Sequence, residues 1–244
     1  MKNDNRNDRR TSGPAKGTGK TKATGKANAA RKTKVTAGKE NRVPVGQGRE
    51  KTTVKNKSGI CPVADKCGGC SWINQPYAEQ LKKKEKQLGE LLAPFCKIEG
   101  VIPMEHPEHY RNKVHAVFGE NRYHDAISGI YEQKSHRIVP VDSCLIENAK
   151  ADEIIVSIRG LLKSFHIRPY NEDTGYGLLR HVLIRTGHIT GQIMVVLVLV
   201  SPILPSKNNF VKALLKLHPE ITTVVINVNN RNTSMVLGDK EHVI

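Results

Sequence analysis

Leu179-Arg-His-Val-Leu-Ile-Arg-Thr186 and Gln192-Ile-Met-Val-Val-Leu-Val-Leu-Val200 decide the fold class. Both are strand-sized runs rich in β-branched residues, and Gly187–Gly191 between them supplies a turn, so the pair reads as a β-hairpin. Upstream, Val114–Phe118 and Ala126–Glu132 read as two more strands, with polar Asn121–Asp125 as their turn. Downstream, Thr222–Val228 and Ser234–Leu237 read as a second hairpin turned by Asn229-Asn-Arg-Asn232. Helical spacing of apolar residues falls between these strands. Pro76 opens one helix with a stripe of Tyr77, Leu81, Leu88, Leu91 and Leu92, and lysines lie on its other face. A longer helix is expected over about Ile146–Phe165 and a short one over about Lys207–Leu217. Hairpins mixed with helices predict an α+β fold with a mostly antiparallel sheet and flanking helices.

Charge divides the chain in two. Residues 1–58 hold 17 Lys/Arg against 4 Asp/Glu, a net of +13, whereas residues 59–244 carry a net of only +3. The first segment has no Phe, Trp or Tyr. It cannot bury enough apolar surface to offset its chain entropy and is expected to be a disordered basic tail. Either it is simply solvated, or it is an arm for RNA, the polyanion such a field attracts. Residues 59–244 are expected to form the folded domain. The longest apolar run, Ile193–Val200, is too short to span a membrane, and the N-terminus lacks the apolar core of a secretory signal. A cytoplasmic protein is therefore expected, with its five cysteines kept for metal or catalysis rather than disulfides.

The strongest chemical signal is Cys61-Pro-Val-Ala-Asp-Lys-Cys67-Gly-Gly-Cys70. The C-x-x-C pair can aim two sulfurs at one centre. Gly68 and Gly69 let the backbone fold tightly and point N–H groups at the sulfurs. A fourth thiol must come from Cys96, just after the first helix, or from Cys144, just before the long one. A thiolate ahead of a helix gains from its dipole and free N–H groups, which favours Cys144 and leaves Cys96 as a buried free thiol. Zinc, an iron–sulfur cluster and unmetallated thiols all stay open on spacing alone. Three clustered cysteines with one distant partner is the commoner layout of the cluster.

Other stretches suit RNA. Tyr110-Arg-Asn-Lys113 combines a stacking ring, a fork donor, an amide and an ammonium. Arg180 and Arg185 lie on opposite faces of a strand, so one suits an RNA contact and the other a structural ion pair. His181 reads as a satisfied packing histidine, Trp72 as a shield beside the thiols, and Asp142 as a turn or cap residue.

Cys61, Cys67, Cys70 and Cys144 match C, five residues, C-G-G-C and a distant C. With Tyr110–Lys113, Val141-Asp-Ser-Cys144 and Gly177–Arg185, this resembles the RNA uracil-5-methyltransferase family, in the iron–sulfur branch that methylates 23S ribosomal RNA. The similarity runs from about Ile60 to Ile244. It implies a structural 4Fe–4S cluster on the four cysteines, ribosomal RNA as partner, and RNA contacts from Tyr110, Arg111, Lys113, Arg180 and Arg185. In the family, S-adenosylmethionine and the catalytic cysteine and glutamate belong to a C-terminal Rossmann-like domain that this sequence lacks. No catalytic or cofactor-binding residue carries over, and the chain is expected not to methylate alone. A separate chain carrying that domain is one expected partner. A stand-alone, metal-stabilised RNA-binding protein is the competing reading.

Overall fold

The computed structural model describes residues 61–244. The expected basic tail lies outside the described residues. Three helices and seven strands follow in the order α1 (Tyr77–Leu92), β1 (Lys113–Glu120), β2 (Ala126–Tyr131), β3 (Ile138–Pro140), α2 (Ala149–Ser164), β4 (Leu179–Thr186), β5 (Ile193–Leu199), α3 (Lys207–Leu217), β6 (Ile221–Val228) and β7 (Lys240–Val243). They form one sheet of order β3-β2-β1-β4-β5-β6-β7. Every neighbouring pair is antiparallel except β5 and β6, which run parallel and are joined through α3. The expected α+β class with a mostly antiparallel sheet is the observed one.

Alternation places Val114, Ala116 and Phe118 of β1 beside Val182 and Ile184 of β4, and these join Val195 and Leu197 of β5 in one core. Ile154, Ile155, Ile158 and Leu162 of α2 recur at helical spacing and press onto this face, and Phe210 and Leu214 of α3 join them. The rings of Phe165 and Phe210 meet edge to face at 5.4 Å, closing the end of α2 over α3. The other face carries a smaller cluster of Leu183, Val196, Val198 and Val225.

One expectation is corrected, and two features were not foreseen. The strand expected at Ser234–Leu237 is a series of bends, and β6 pairs instead with Lys240–Val243. The bends are held by the Asn229 side chain, which donates to the carbonyls of Met235 (2.7 Å) and Val236 (3.0 Å) and so competes with strand pairing. β3 went unpredicted because it is three residues long and ends in Pro140, tolerable only at a sheet edge. Its backbone comes so close that a Cβ on Gly129 would strike the carbonyl of Val139. Finally, α1 forms where Pro76 places it, but none of its residues is buried. Tyr77, Leu81 and Leu92 of its apolar stripe are half-buried, while Leu88 and Leu91 are exposed, Leu91 to 71%.

Among the described residues no helix is long and apolar enough to cross a membrane.

Candidate thiol centre

Cys61, Cys67, Cys70 and Cys144 line one cavity of about 40 Å³. Turns gather the first three. The N–H of Cys67 donates to the Val63 carbonyl at 2.8 Å, and an isolated bridge pairs Cys67 with Glu132 just past β2. The N–H of Gly69 reaches the Cys67 sulfur at 3.3 Å. A Cβ on Gly69 would lie 3.3 Å from that sulfur and 3.5 Å from Ile130, so a side chain there would crowd the thiol loop.

The fourth thiol arrives ahead of α2. Asn148 caps that helix, its side chain accepting from the N–H groups of Lys150 (3.1 Å) and Ala151 (3.4 Å). The N–H of Cys144 donates to Asp152 at 2.7 Å, and the thiol accepts from the backbone N–H groups of Ile146 and Glu147. Burial pushes the Cys144 thiol up, and those two N–H groups oppose it. Burial and neighbouring Cys67 push the Cys70 thiol up, and the Arg111 guanidinium opposes them.

Ile73, Ile130, Val141 and Ile155 make much of the remaining wall apolar. Sequence reasoning missed the two acids there, Glu147 and Asp152. Burial, then Asp152 beside it, pushes the Glu147 carboxyl up to about 7. Burial also raises Asp152, while the Cys144 N–H and its bond from Glu147 pull it down. Asp152 thus holds the Cys144 backbone, with the Glu147 carboxyl beside it.

Four thiols in a largely apolar wall form a donor set suited to zinc or to an iron–sulfur cluster. Among the described residues, no group of three or more His, Cys, Asp or Glu is placed to hold a single metal ion. Cys96 is exposed and does not line the cavity, which corrects the expectation of a buried thiol there.

The candidate RNA contacts separate. Arg111 is stitched to the Cys144 segment: its N–H donates to the Ile146 carbonyl (2.9 Å) and its carbonyl accepts from Asn148 (3.1 Å). Lys113 on β1 stands directly opposite Arg185 on β4, and both are exposed. Like charges facing across a ladder cost stability, so this pair suits an anionic partner. Tyr110 is 47% exposed. Arg180 is the exception, only 4% exposed. Its guanidinium donates to Glu172 (2.8 Å) and to the carbonyls of Asn229 (3.1 Å) and Arg231 (2.7 Å), and it lies over the Tyr170 ring. Those bonds make it a structural hub withdrawn from solvent, the ion-pair member of the Arg180–Arg185 pair.

His181 is buried, and its ring lies 4.9 Å from that of His115. Contrary to expectation it is not satisfied: Nδ1 of His181 and Nε2 of His115 have no hydrogen-bond partner among the described residues. Asp142 is exposed and pairs with Arg159 of α2 at 2.6 Å, so the capping role belongs to Asn148 instead. Trp72 is half-buried in the loop that follows Cys70.

No family model matches the chain. Over 189 residues it is 38% identical to an uncharacterized RNA methyltransferase of Halalkalibacterium halodurans, covering 75% of this chain and 41% of that one. A similarly named protein of Clostridium acetobutylicum matches at 38% with the same coverage. One of Staphylococcus aureus matches at 32% over 183 residues, 73% of this chain and 40% of its own. Among solved structures, a Pyrococcus abyssi tRNA (uracil-54, C5)-methyltransferase in complex with S-adenosyl-L-homocysteine shares the fold. Its TM-score is 0.57 at 24% identity, over 72% of this chain and 41% of that one. The chain therefore spans about two fifths of the length of the curated relatives it matches. Over that span, the similarity supports an RNA methyltransferase family for this chain.

Proposed function

We propose that the chain is the RNA-binding, cluster-holding part of an S-adenosylmethionine-dependent RNA uracil-5-methyltransferase acting on ribosomal RNA. One observation carries the reading: Cys61, Cys67, Cys70 and Cys144 line a single cavity. The segment stitched to its fourth thiol carries Tyr110 and Arg111, and leads straight into Lys113.

The four thiols fit a 4Fe–4S cluster better than a single zinc. Zinc bonds of about 2.3 Å would draw four sulfurs to within about 4 Å of one another, whereas a cube of irons leaves its ligands farther apart. Three clustered cysteines with one distant partner on the same cavity is also the commoner layout of the cluster. When bound, the cluster supplies a crosslink between the 61–70 loop and the start of α2. This chain's own residues do the rest. Gly69 donates to one sulfur, Asp152 anchors the backbone of another, and the apolar wall excludes water. Lys113 and Arg185 meet phosphates at one end of β1 and β4, with Arg111 nearby in sequence. The methyl donor and the uracil chemistry are not assigned to any residue of this chain. A separate polypeptide could bring them.

The test is RNA binding by the anaerobically purified chain across a salt series. Lys113→Ala with Arg185→Ala should weaken binding and flatten the log–log salt slope by about 1.4, at about 0.7 per phosphate contact on single strands. An unchanged slope would remove these residues from the interface.

A further inference from the structure

A larger depression of about 660 Å³ lies beside the thiol centre. Four segments build it: the loop carrying Trp72, the first turns of α1, the stretch from Val101 to Arg111, and Leu145 and Ile146 beside Cys144. Its volume falls in the range of about 300–1,000 Å³ typical of sites that enclose one small group. Its walls combine flat rings with cations, namely Trp72, Tyr110, Lys84 and Arg111, and Glu108 is the one acid among the lining residues.

Several of the lining side chains are already committed to holding the shape. The Tyr77 hydroxyl accepts from the Met104 N–H at 2.8 Å, fastening the Val101–Met104 stretch to α1. The Gln80 amide donates to the carbonyls of Trp72 (3.2 Å) and Gln75 (2.9 Å), fastening the Trp72 loop to the same helix. Tyr110 sits between two tethered neighbours. Arg111 pairs with the Cys144 segment. His109 is held at φ 52° by its N–H to the Leu145 carbonyl (2.8 Å) and its ring Nδ1 to the Glu147 carbonyl (2.7 Å). A non-glycine residue in that conformation is uncommon and persists only where its surroundings fix it.

The remaining groups are available to a ligand. Tyr110 is half-exposed, and Lys84 pairs with no carboxylate among the described residues. The Lys84 ammonium lies 5.8 Å from the centre of the Trp72 ring, a contact weak enough at an exposed site to yield to a better one. Rings beside two cations, of which Lys84 forms no ion pair among the described residues, match a strand that offers base faces and phosphates together. An apolar peptide would leave both cations without partners. A duplex keeps its base faces stacked inside.

We propose that this groove takes an unpaired nucleobase of an RNA strand, stacked against Trp72 and Tyr110, with Lys84 and Arg111 on the flanking phosphates. The proposal rests on the RNA reading above and adds a seat for a base, where the Lys113–Arg185 pair offers only phosphate contact.

The test is binding of a labelled, unstructured RNA oligonucleotide and of the matching duplex to the full chain purified anaerobically. Tyr110→Leu should weaken single-strand binding at least about five-fold and leave duplex binding unchanged, as expected for loss of one stacked base. Trp72→Leu should do the same, and Trp72→Phe should keep most of the affinity. Trp72 is the only tryptophan in the chain. Irradiated bromouridine-substituted RNA should attach to Trp72 or Tyr110. The Tyr110 ring lies at the surface, so its variant keeps the test valid should Trp72→Leu fail to fold. Wild-type single-strand affinity in Tyr110→Leu, with crosslinks elsewhere, would overturn the groove and leave the RNA reading standing. A wild-type chain that binds no RNA at all would overturn both.

Discussion

His181 lies near the start of β4, 5% exposed, with His115 diagonally placed on β1, its ring 4.9 Å away, and Arg180 beside it in sequence. Burial, then His115, then Arg180 push its imidazole down to about 3. Burial and Lys113 push His115 down as well. A histidine lowered in the folded state contributes stability that is complete above its unfolded value. That stability is lost as pH falls from about 6.5 toward 3. His181→Leu removes the group that must be kept neutral. The stability of the wild type relative to this variant should therefore fall by up to about 1.4 kcal/mol per pH unit across the upper part of that window. Urea midpoints of both proteins at several pH values measure it, and a constant difference would show that His181 does not titrate against folding. Arg180 and Arg185 make the complementary comparison. Arg180→Ala strips a donor from two carbonyls and from Glu172, and should cost about 2–4 kcal/mol, less than a fully buried pair because Glu172 is partly exposed. Arg185→Ala should change stability by no more than about 0.5 kcal/mol and act on RNA affinity instead. The reverse pattern would return Arg180 to the interface.

At the scale of elements, α2 links the core to the thiol centre. Ile154, Ile158 and Leu162 bury one of its faces, while its N-terminus, capped by Asn148, holds the segment that carries Cys144. Asn148→Ala should cost about 1 kcal/mol by leaving two N–H groups uncapped. It should also speed cluster loss in air, because Cys144, Ile146 and Glu147 lie just upstream of that cap. Loss kinetics equal to wild type would separate the cap from the centre. Leu91→Glu on exposed α1 should by contrast be nearly neutral for stability. These elements also mark what the sequence could and could not convey. Ile193–Leu199 was legible because a strand buried on both faces is apolar throughout, and Leu179–Thr186 through its Val182-Leu-Ile184 run and the glycine-bounded turn that joins the two. The partial covering of the α1 stripe was not, because periodicity says that a helix has an apolar face without saying what covers it. The cysteine spacing was legible in local sequence. The Glu147–Asp152 pairing at the thiol centre and the His115–His181 contact were not, because i,i+5 spacing and cross-strand register carry no chemical label.

For the molecule as a whole, the charge is concentrated rather than diffuse. Residues 1–58 contribute +13 of the net +16, and the folded part little of it. If that segment contacts RNA, its deletion should weaken binding and lower the salt slope by about 0.7 for each phosphate it neutralises, which a salt titration reads directly. An unchanged slope would assign all of the RNA contact to residues 59–244. Within those residues, the four thiols come from the loop before α1 and the segment before α2, so one bound group would tie those two segments together. The most direct test of that claim is iron and acid-labile sulfide measured on the anaerobically purified chain and on Cys144→Ser. The account predicts a brown wild type with about four irons and four sulfides, a Cys144→Ser variant that loses both, and a Cys96→Ser variant that keeps them. A colourless wild type holding one zinc would contradict it.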